Sequence, residues 1–176
     1  SYHAIGRMST SKGLATNAVF GFAAILRKLL NEEKPAHIAV AFDTEKPTFR
    51  HVEFTAYKAH RPPPPEDLIP QFPLARRVCE ALGVPVLEMD GWEADDVIGT
   101  LTAAARKQGF DVRIVTSDKD MFQLVDEHVK IINPAKGIVM DAAAVEQIFG
   151  VPPAQVRDVL ALWGDSSDNI PGVPGI

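Results

Sequence analysis

Hydrophobic and polar positions change period several times along this chain, and each change marks an element. From Asn17 to Leu30, apolar residues at Val19, Phe22, Ala23, Leu26, Leu29 and Leu30 return at helical spacing and predict an amphipathic helix. The run HIAVAF, from His37, is short, apolar and stopped by Asp43, which predicts a buried strand. VPVLEM (84–89) and DVRIVT (111–116) are the next two candidate strands. Helices are predicted from near Asp67 to Leu82 and from Trp92 or Glu93 to Gln108, stopped by Gly83 and Gly109. KDMFQLV (119–125) reads as a short helix, and VKIINPAKGIVM (129–140) as a strand with a hairpin return across Pro134 to Gly137. Asp141 is placed to cap AAAVEQIFG, and Pro152–Pro153 opens a last helix that runs to Trp163.

Strands alternating with helices predict an α/β fold with a mainly parallel sheet. In such sheets ligands bind beyond the carboxyl ends of the strands, and Asp43 and Asp118 each directly follow a predicted strand. The four prolines from Pro62 to Pro65 stiffen the chain and forbid helix there.

Composition adds limits. At 176 residues, 46% hydrophobic and 23% charged, the chain is long enough for a real core and is predicted to be ordered as one domain. No apolar run reaches the roughly 20 residues of a membrane helix, and the first residues lack the apolar core of a signal peptide. The single Cys79 cannot form an internal disulfide, so a reducing cytoplasm is expected. The start at Ser1 and the stop after PGVPGI lead us to expect a fragment of a longer protein.

The candidate chemistry lies in eight carboxylates in four tight groups: Asp43; Glu93, Asp95 and Asp96 in GWEADD; Asp118 and Asp120 in TSDKD; Asp165 and Asp168 in GDSSDN. Taken singly, each has a plain structural reading as a helix cap, a dipole partner or a polar loop. Together they match what hard divalent cations require, oxygen ligands from several points of a fold. Two carboxylates about 4 Å apart repel by about 4 kcal/mol at an effective dielectric near 20, so convergence of all four groups would call for cations. Two such metals are common machinery for phosphodiester cleavage. The net charge of −5 argues against a nucleic-acid partner, but setting aside these eight leaves 15 acidic against 18 basic residues.

Two further signals concern the partner. If Lys46 to Arg61 is helical, Arg50, Phe54, Tyr57, Lys58 and Arg61 share one face, cations interleaved with aromatics as suits phosphates and unstacked bases. The alternative is a helix with Phe54 and Tyr57 in the core and its cations solvated. The closing NIPGVPGI, with Gly172 and Gly175, could offer backbone N–H groups to phosphate or be a plain loop. The five histidines show no metal-binding spacing.

In order, AFDTEKPTFRH, AYKAHRPPPPEDL, GWEADDVIGTL, VTSDKDMFQLV and GDSSDNIPGVPGI resemble the 5′-nuclease domain of bacterial DNA polymerase I, stand-alone bacterial 5′–3′ exonucleases and, more distantly, flap endonucleases. The resemblance implies a PIN-like (resolvase-like) three-layer fold with a helical arch, and metal-dependent hydrolysis of DNA at a 5′ end or 5′ flap in replication and repair. It implies two ions, Mg²⁺ or Mn²⁺. Asp95, Asp118 and Asp120 then resemble ligands of the tighter site, Asp165 and Asp168 second or outer ligands, Glu93 and Asp96 the acidic helix start, and Asp43 the carboxylate after its strand. Lys58 resembles the lysine that reaches the scissile phosphate; Arg61 and Arg50 match basic substrate contacts, and Gly172 to Ile176 the start of a helix–hairpin–helix element.

The expected division is a catalytic domain over 1–163 and the start of a DNA-binding region over 164–176. The family's first strand, with its Val-Asp-Gly-type ligand, is expected to precede Tyr2. An impaired flap-binding module is therefore the alternative function, and an RNA-cleaving PIN nuclease a third. A monomer is expected, and the resemblance leaves open a fused polymerase.

Overall fold

The computed structural model describes residues 5–176; the expectation resting on Tyr2 to Ala4 lies outside the described residues. Two compact units are present, one made of the chain up to residue 42 together with 62–87, the other of 43–61 together with 88–176. Each unit has its own apolar cluster, and 164–176 belongs to the second unit.

In the first unit, α1 (Asn17–Glu32) and α3 (Gln71–Ala81) pack beside the parallel pair β1 (Val40–Ala41) and β2 (Val86–Leu87). Leu26, Cys79 and Val84 form the buried centre, with Phe22, Val40 and Phe42 against them. The apolar face predicted for α1 is thus the one that packs, although the strand predicted from His37 is shorter because only two of its residues find a ladder partner. The helix predicted from Asp67 begins at Gln71. Pro73 sits within its first turn, where a missing N–H removes no helical bond. Gln71, almost fully buried, accepts from the Ala18 and Val19 amides and donates to Asn17 and the Asp67 carbonyl, tying the two helix starts together.

The second unit is built on β3 (Val112–Val115), β4 (Val129–Asn133) and β5 (Ile138–Met140), in that order, with β3 parallel to β4 and β4 antiparallel to β5. The β4–β5 return is the predicted hairpin: Asn133 accepts from the Ala135 and Lys136 amides, and Gly137 takes the left-handed conformation the turn needs. Helices α4 (Ala94–Lys107), α5 (Ala142–Phe149) and α6 (Pro153–Trp163) and a 3₁₀ helix (Lys119–Leu124) enclose a core of Ile114, Phe122, Val129, Ile131, Val145 and Val156. Asp141 caps α5 by accepting from the Ala144 amide, as predicted. A two-residue pair, β6 (Gly164–Asp165) and β7 (Ile170–Pro171), ends the unit as a tight hairpin; 172–176 form no helix.

The largest departure from expectation lies in 46–61. Only α2 (Phe49–Glu53) is helical; Phe54 is extended and 55–60 are turns. The single face shared by Arg50, Phe54, Tyr57, Lys58 and Arg61 therefore does not form. Lys58 adopts φ +54, outside any helix, and its amide donates to the Asp168 carbonyl at 2.9 Å rather than to the carbonyl one turn back. A long-range backbone bond has replaced a local one.

Candidate active site

All four carboxylate groups belong to the second unit. Asp118 follows β3 and caps the 3₁₀ helix by accepting from the Asp120 amide at 2.9 Å. That short cap turns Asp120 inward while leaving Asp118 at the mouth. Asp95 and Asp96 lie in the first turn of α4, where a negative charge meets the helix dipole favourably. Asp43 accepts from the Ala94 amide at 2.7 Å, so it also serves that helix start. Asp165 and Asp168 are buried at the two ends of the β6–β7 turn.

Among the described residues, Asp120, Asp165 and Asp168 are the three whose oxygens come close enough to share a cation, all within 4.8 Å of one another. The Oδ1 atom of Asp120 is buried and accepts no hydrogen bond. A buried acceptor without a partner is costly, and an all-oxygen set of this kind suits a hard divalent ion, so the residues fit a metal. Burial first, then the charges of Asp118 and Asp165, push the Asp120 carboxyl up to about 6. Asp95 is also pushed up to about 6, by burial and then by Asp118, Asp43 and Glu93. Four of the eight carboxylates, Asp43, Glu93, Asp95 and Asp118, thus share one electrostatic environment, and Asp118 connects it to Asp120, Asp165 and Asp168.

Cations of 46–61 answer this charge. Arg50 makes a bidentate pair with Asp96, at 2.7 and 2.8 Å, which raises the arginine's pKa and lowers that of the carboxyl. Asp96 also accepts from the Glu93 amide at 3.0 Å, so its oxygens are already engaged. Lys58 Nζ lies 2.9 Å from Glu93 Oε1 and 3.7 Å from Asp168. Arg61 pairs with Asp168 and donates through Nε to the Ser167 carbonyl at 3.1 Å.

Tyr57, read in the sequence as a residue for an unstacked base, is buried at 6% exposure and cannot offer its ring. Its hydroxyl lies 3.0 Å from both Glu93 and Asp168, and burial followed by those two carboxylates raises its pKa strongly. Phe54, by contrast, is exposed. Gly172 packs under the end of α6, while Gly175 lies in an exposed turn with φ +92.

Three participants were not singled out from the sequence. Lys119 reaches Asp165 at 3.3 Å; Ser167 donates its amide to the same carboxylate at 2.8 Å. For Asp165, burial is outweighed by these bonds, which hold its pKa below the ordinary value. Asn169, at φ +60, donates to the Ala56 carbonyl at 2.7 Å and so fastens the Lys58 turn to the hairpin. Each adjoins an acidic residue in TSDKD or GDSSDN, the only signal that could have pointed to it.

The resulting cleft, about 560 Å³, is lined by the carboxylates Asp43, Asp95 and Asp118 and by the cations Lys58, Arg61 and Lys119. A second hollow of about 430 Å³ is lined by residues including Arg50, Tyr57, Glu93, Asp120 and Asp168. Such an arrangement binds divalent cations through its oxygens and presents ammonium and guanidinium groups to an anion.

Known proteins share both sequence and fold. The chain is 44% identical over its whole length to DNA polymerase I of Bacillus caldotenax, of which it spans 20%. It is 42% identical, again over its whole length, to a 5′-3′ exonuclease of Aquifex aeolicus, of which it spans 61%. The fold matches bacteriophage T5 5′-exonuclease with bound zinc (TM-score 0.75) and the T5 flap endonuclease in a product-type complex with DNA and metal ions (0.73). Both T5 structures are 22% identical, covering 90% of this chain and 62% of theirs. With residues 1–150 also matching the model of the 5′-3′ exonuclease N-terminal resolvase-like domain, this chain belongs to that family.

Proposed function

We propose that this chain carries the catalytic centre of a metal-dependent nuclease that hydrolyses DNA phosphodiesters at a 5′ end or 5′ flap. One observation carries the reading: a buried, unpartnered carboxylate oxygen at Asp120, in a cluster with Asp165 and Asp168, stands beside a cleft that also holds Lys58 and Arg61. The first feature suits a divalent cation and the second a phosphate. The acidic residues would hold the ion, Asp120, Asp165 and Asp168 in one set and Asp95 and Asp118, with Asp43 and Glu93 near them, in another. Mg²⁺ or Mn²⁺ bound there would supply charge neutralisation and an acidified water.

The protein's own groups then have distinct tasks. Lys58 and Arg61 now neutralise Glu93 and Asp168. An incoming phosphate competes for the same two cations and is thereby drawn over the carboxylates, where they offset charge in the transition state. Tyr57 bridges Glu93 and Asp168, its one hydroxyl proton shared between two acceptors 3.0 Å away. Arg50 anchors α4 through Asp96 and so stays at the margin of the chemistry.

The single cysteine can form no internal disulfide, and a reducing cytoplasm is the location proposed on that ground; among the described residues no helix is long and apolar enough to cross a membrane. The relatives include both polymerase-fused and shorter proteins, and the proposed site needs no residue from a fused domain.

The test is cleavage of a labelled 5′-flap duplex with Mg²⁺, Mn²⁺ or EDTA, beside Lys58→Ala and a single-stranded RNA competitor. Metal-dependent cutting of the flap that is lost in Lys58→Ala is the expected result. A folded chain that binds the flap but never cuts it makes this a binding module instead. Preference for the RNA would transfer the site to an RNA substrate.

A further inference from the structure

Two of the three clustered carboxylates sit in the β6–β7 hairpin, and that hairpin is closed by a contact between glycines. Gly164 has φ +74 and ψ −172, a conformation essentially restricted to glycine. A Cβ placed on it would stand 2.3 Å from the Gly172 nitrogen and 2.4 Å from the Ile170 carbonyl oxygen. On the facing strand, a Cβ on Gly172 would stand 2.3 Å from the Trp163 carbonyl oxygen and 2.7 Å from that of Leu162. Every one of these obstacles is a backbone atom, so no side-chain rotation relieves the clash. The Val173 amide continues the close approach by donating to the Leu162 carbonyl at 2.8 Å.

By contrast, a Cβ at Gly6, Gly13, Gly83, Gly91, Gly109, Gly137, Gly150 or Gly175 would meet open space, and one at Gly99 only ordinary contact at 4.0 Å. The contact lies directly beside Asp165, which follows Gly164. The turn it closes, 166–169, ends one strand at Asp165 and delivers Asp168. Separation of the strands would move both carboxylates relative to Asp120, which is fixed independently by the 3₁₀ helix.

We propose that Gly164 and Gly172 are positioning residues whose backbone-to-backbone contact sets Asp165 and Asp168 at the spacing from Asp120 that a divalent cation requires. The proposal rests on the metal-site reading above. It gives Gly172 a task other than presenting its N–H to phosphate, and the two tasks are separable because one concerns metal without DNA.

The experiment is Mn²⁺ binding, followed by electron paramagnetic resonance, to this chain and to Gly172→Ala in the absence of DNA. Circular dichroism and melting in EDTA are recorded alongside. Loss of a supporting contact around a metal site weakens affinity by about 10- to 100-fold, and a loss in that range in a folded variant is expected. A folded Gly172→Ala that binds Mn²⁺ as well as the unaltered chain overturns the proposal; a merely structural glycine would lower the melting temperature and leave that affinity alone. If the unaltered chain binds no Mn²⁺, the metal-site reading fails, and this inference with it. Should the variant not fold, hydrogen exchange on the unaltered chain decides. Mg²⁺ is expected to slow exchange across 164–173, and unchanged exchange there overturns the coupling between hairpin and ion.

Discussion

Asp120→Asn offers a test in which stability and metal binding move in opposite directions. The carboxyl is held near 6 instead of its ordinary 3.8 by burial and by Asp118 and Asp165. If it were shut off from water, its ionised form would carry about 3 kcal/mol of unfavourable free energy at neutral pH. The residue is only half buried, and screening reduces this to roughly 1–2 kcal/mol. A folded-state pKa raised above the unfolded value means that this cost is absent below about pH 4 and complete above about pH 6.

The amide is nearly isosteric and uncharged, so in EDTA near neutral pH the variant is expected to melt higher than the unaltered chain. At roughly 2–4 °C per kcal/mol for a chain of this size, the gain is about 2–8 °C. With saturating Mg²⁺ the order reverses, because the unaltered chain gains ligand-linked stability and the variant loses most of it. Differential scanning calorimetry with and without Mg²⁺ reads both effects. A variant that melts lower than the parent in EDTA, yet responds equally to Mg²⁺, would refute the claim that charge crowding at Asp120 is relieved by a cation.

Asn169→Ala removes the tie to the Ala56 carbonyl, and flap cleavage is expected to fall about tenfold with the Mg²⁺ dependence unchanged, as measured by single-turnover kinetics. Gln71→Leu deletes four hydrogen bonds at the starts of α1 and α3 and should cost about 2–4 kcal/mol in urea unfolding at an unchanged slope. The exposed His128–Asp111 pair has a histidine raised above 6.5 and an aspartate lowered below 3.8, each chiefly by their mutual hydrogen bond. Its small contribution is therefore complete only between those two values. It fades as pH rises through the raised histidine value or falls through the lowered aspartate value. An NMR titration placing His128 below 6.5 would contradict the pairing.

Sequence alone determined the parts whose causes are local. The Asp141 cap and the Asn133–Gly137 turn are made by bonds spanning two to four residues, and the apolar stripe of α1 needs only its own period. The acidic groups were legible for the same reason: each lies beside the strand end or helix start that presents it. Which carboxylates meet was decided only by the tertiary structure. Asp120 joins Asp165 and Asp168 across a loop, a hairpin and two helices, and nothing in the spacing states that distance.

Tertiary context also overruled local preference. A helix over 46–61 would satisfy its own backbone, but Lys58 instead bonds to Asp168, and Tyr57 inserts its hydroxyl between carboxylates as far as 111 residues away. Those long-range bonds, formed in a half-buried site, outweigh a few residues of helix propensity. The close approach of Gly164 and Gly172 was hidden in the same way, since a glycine's value there lies in backbone atoms that only the folded chain brings against it.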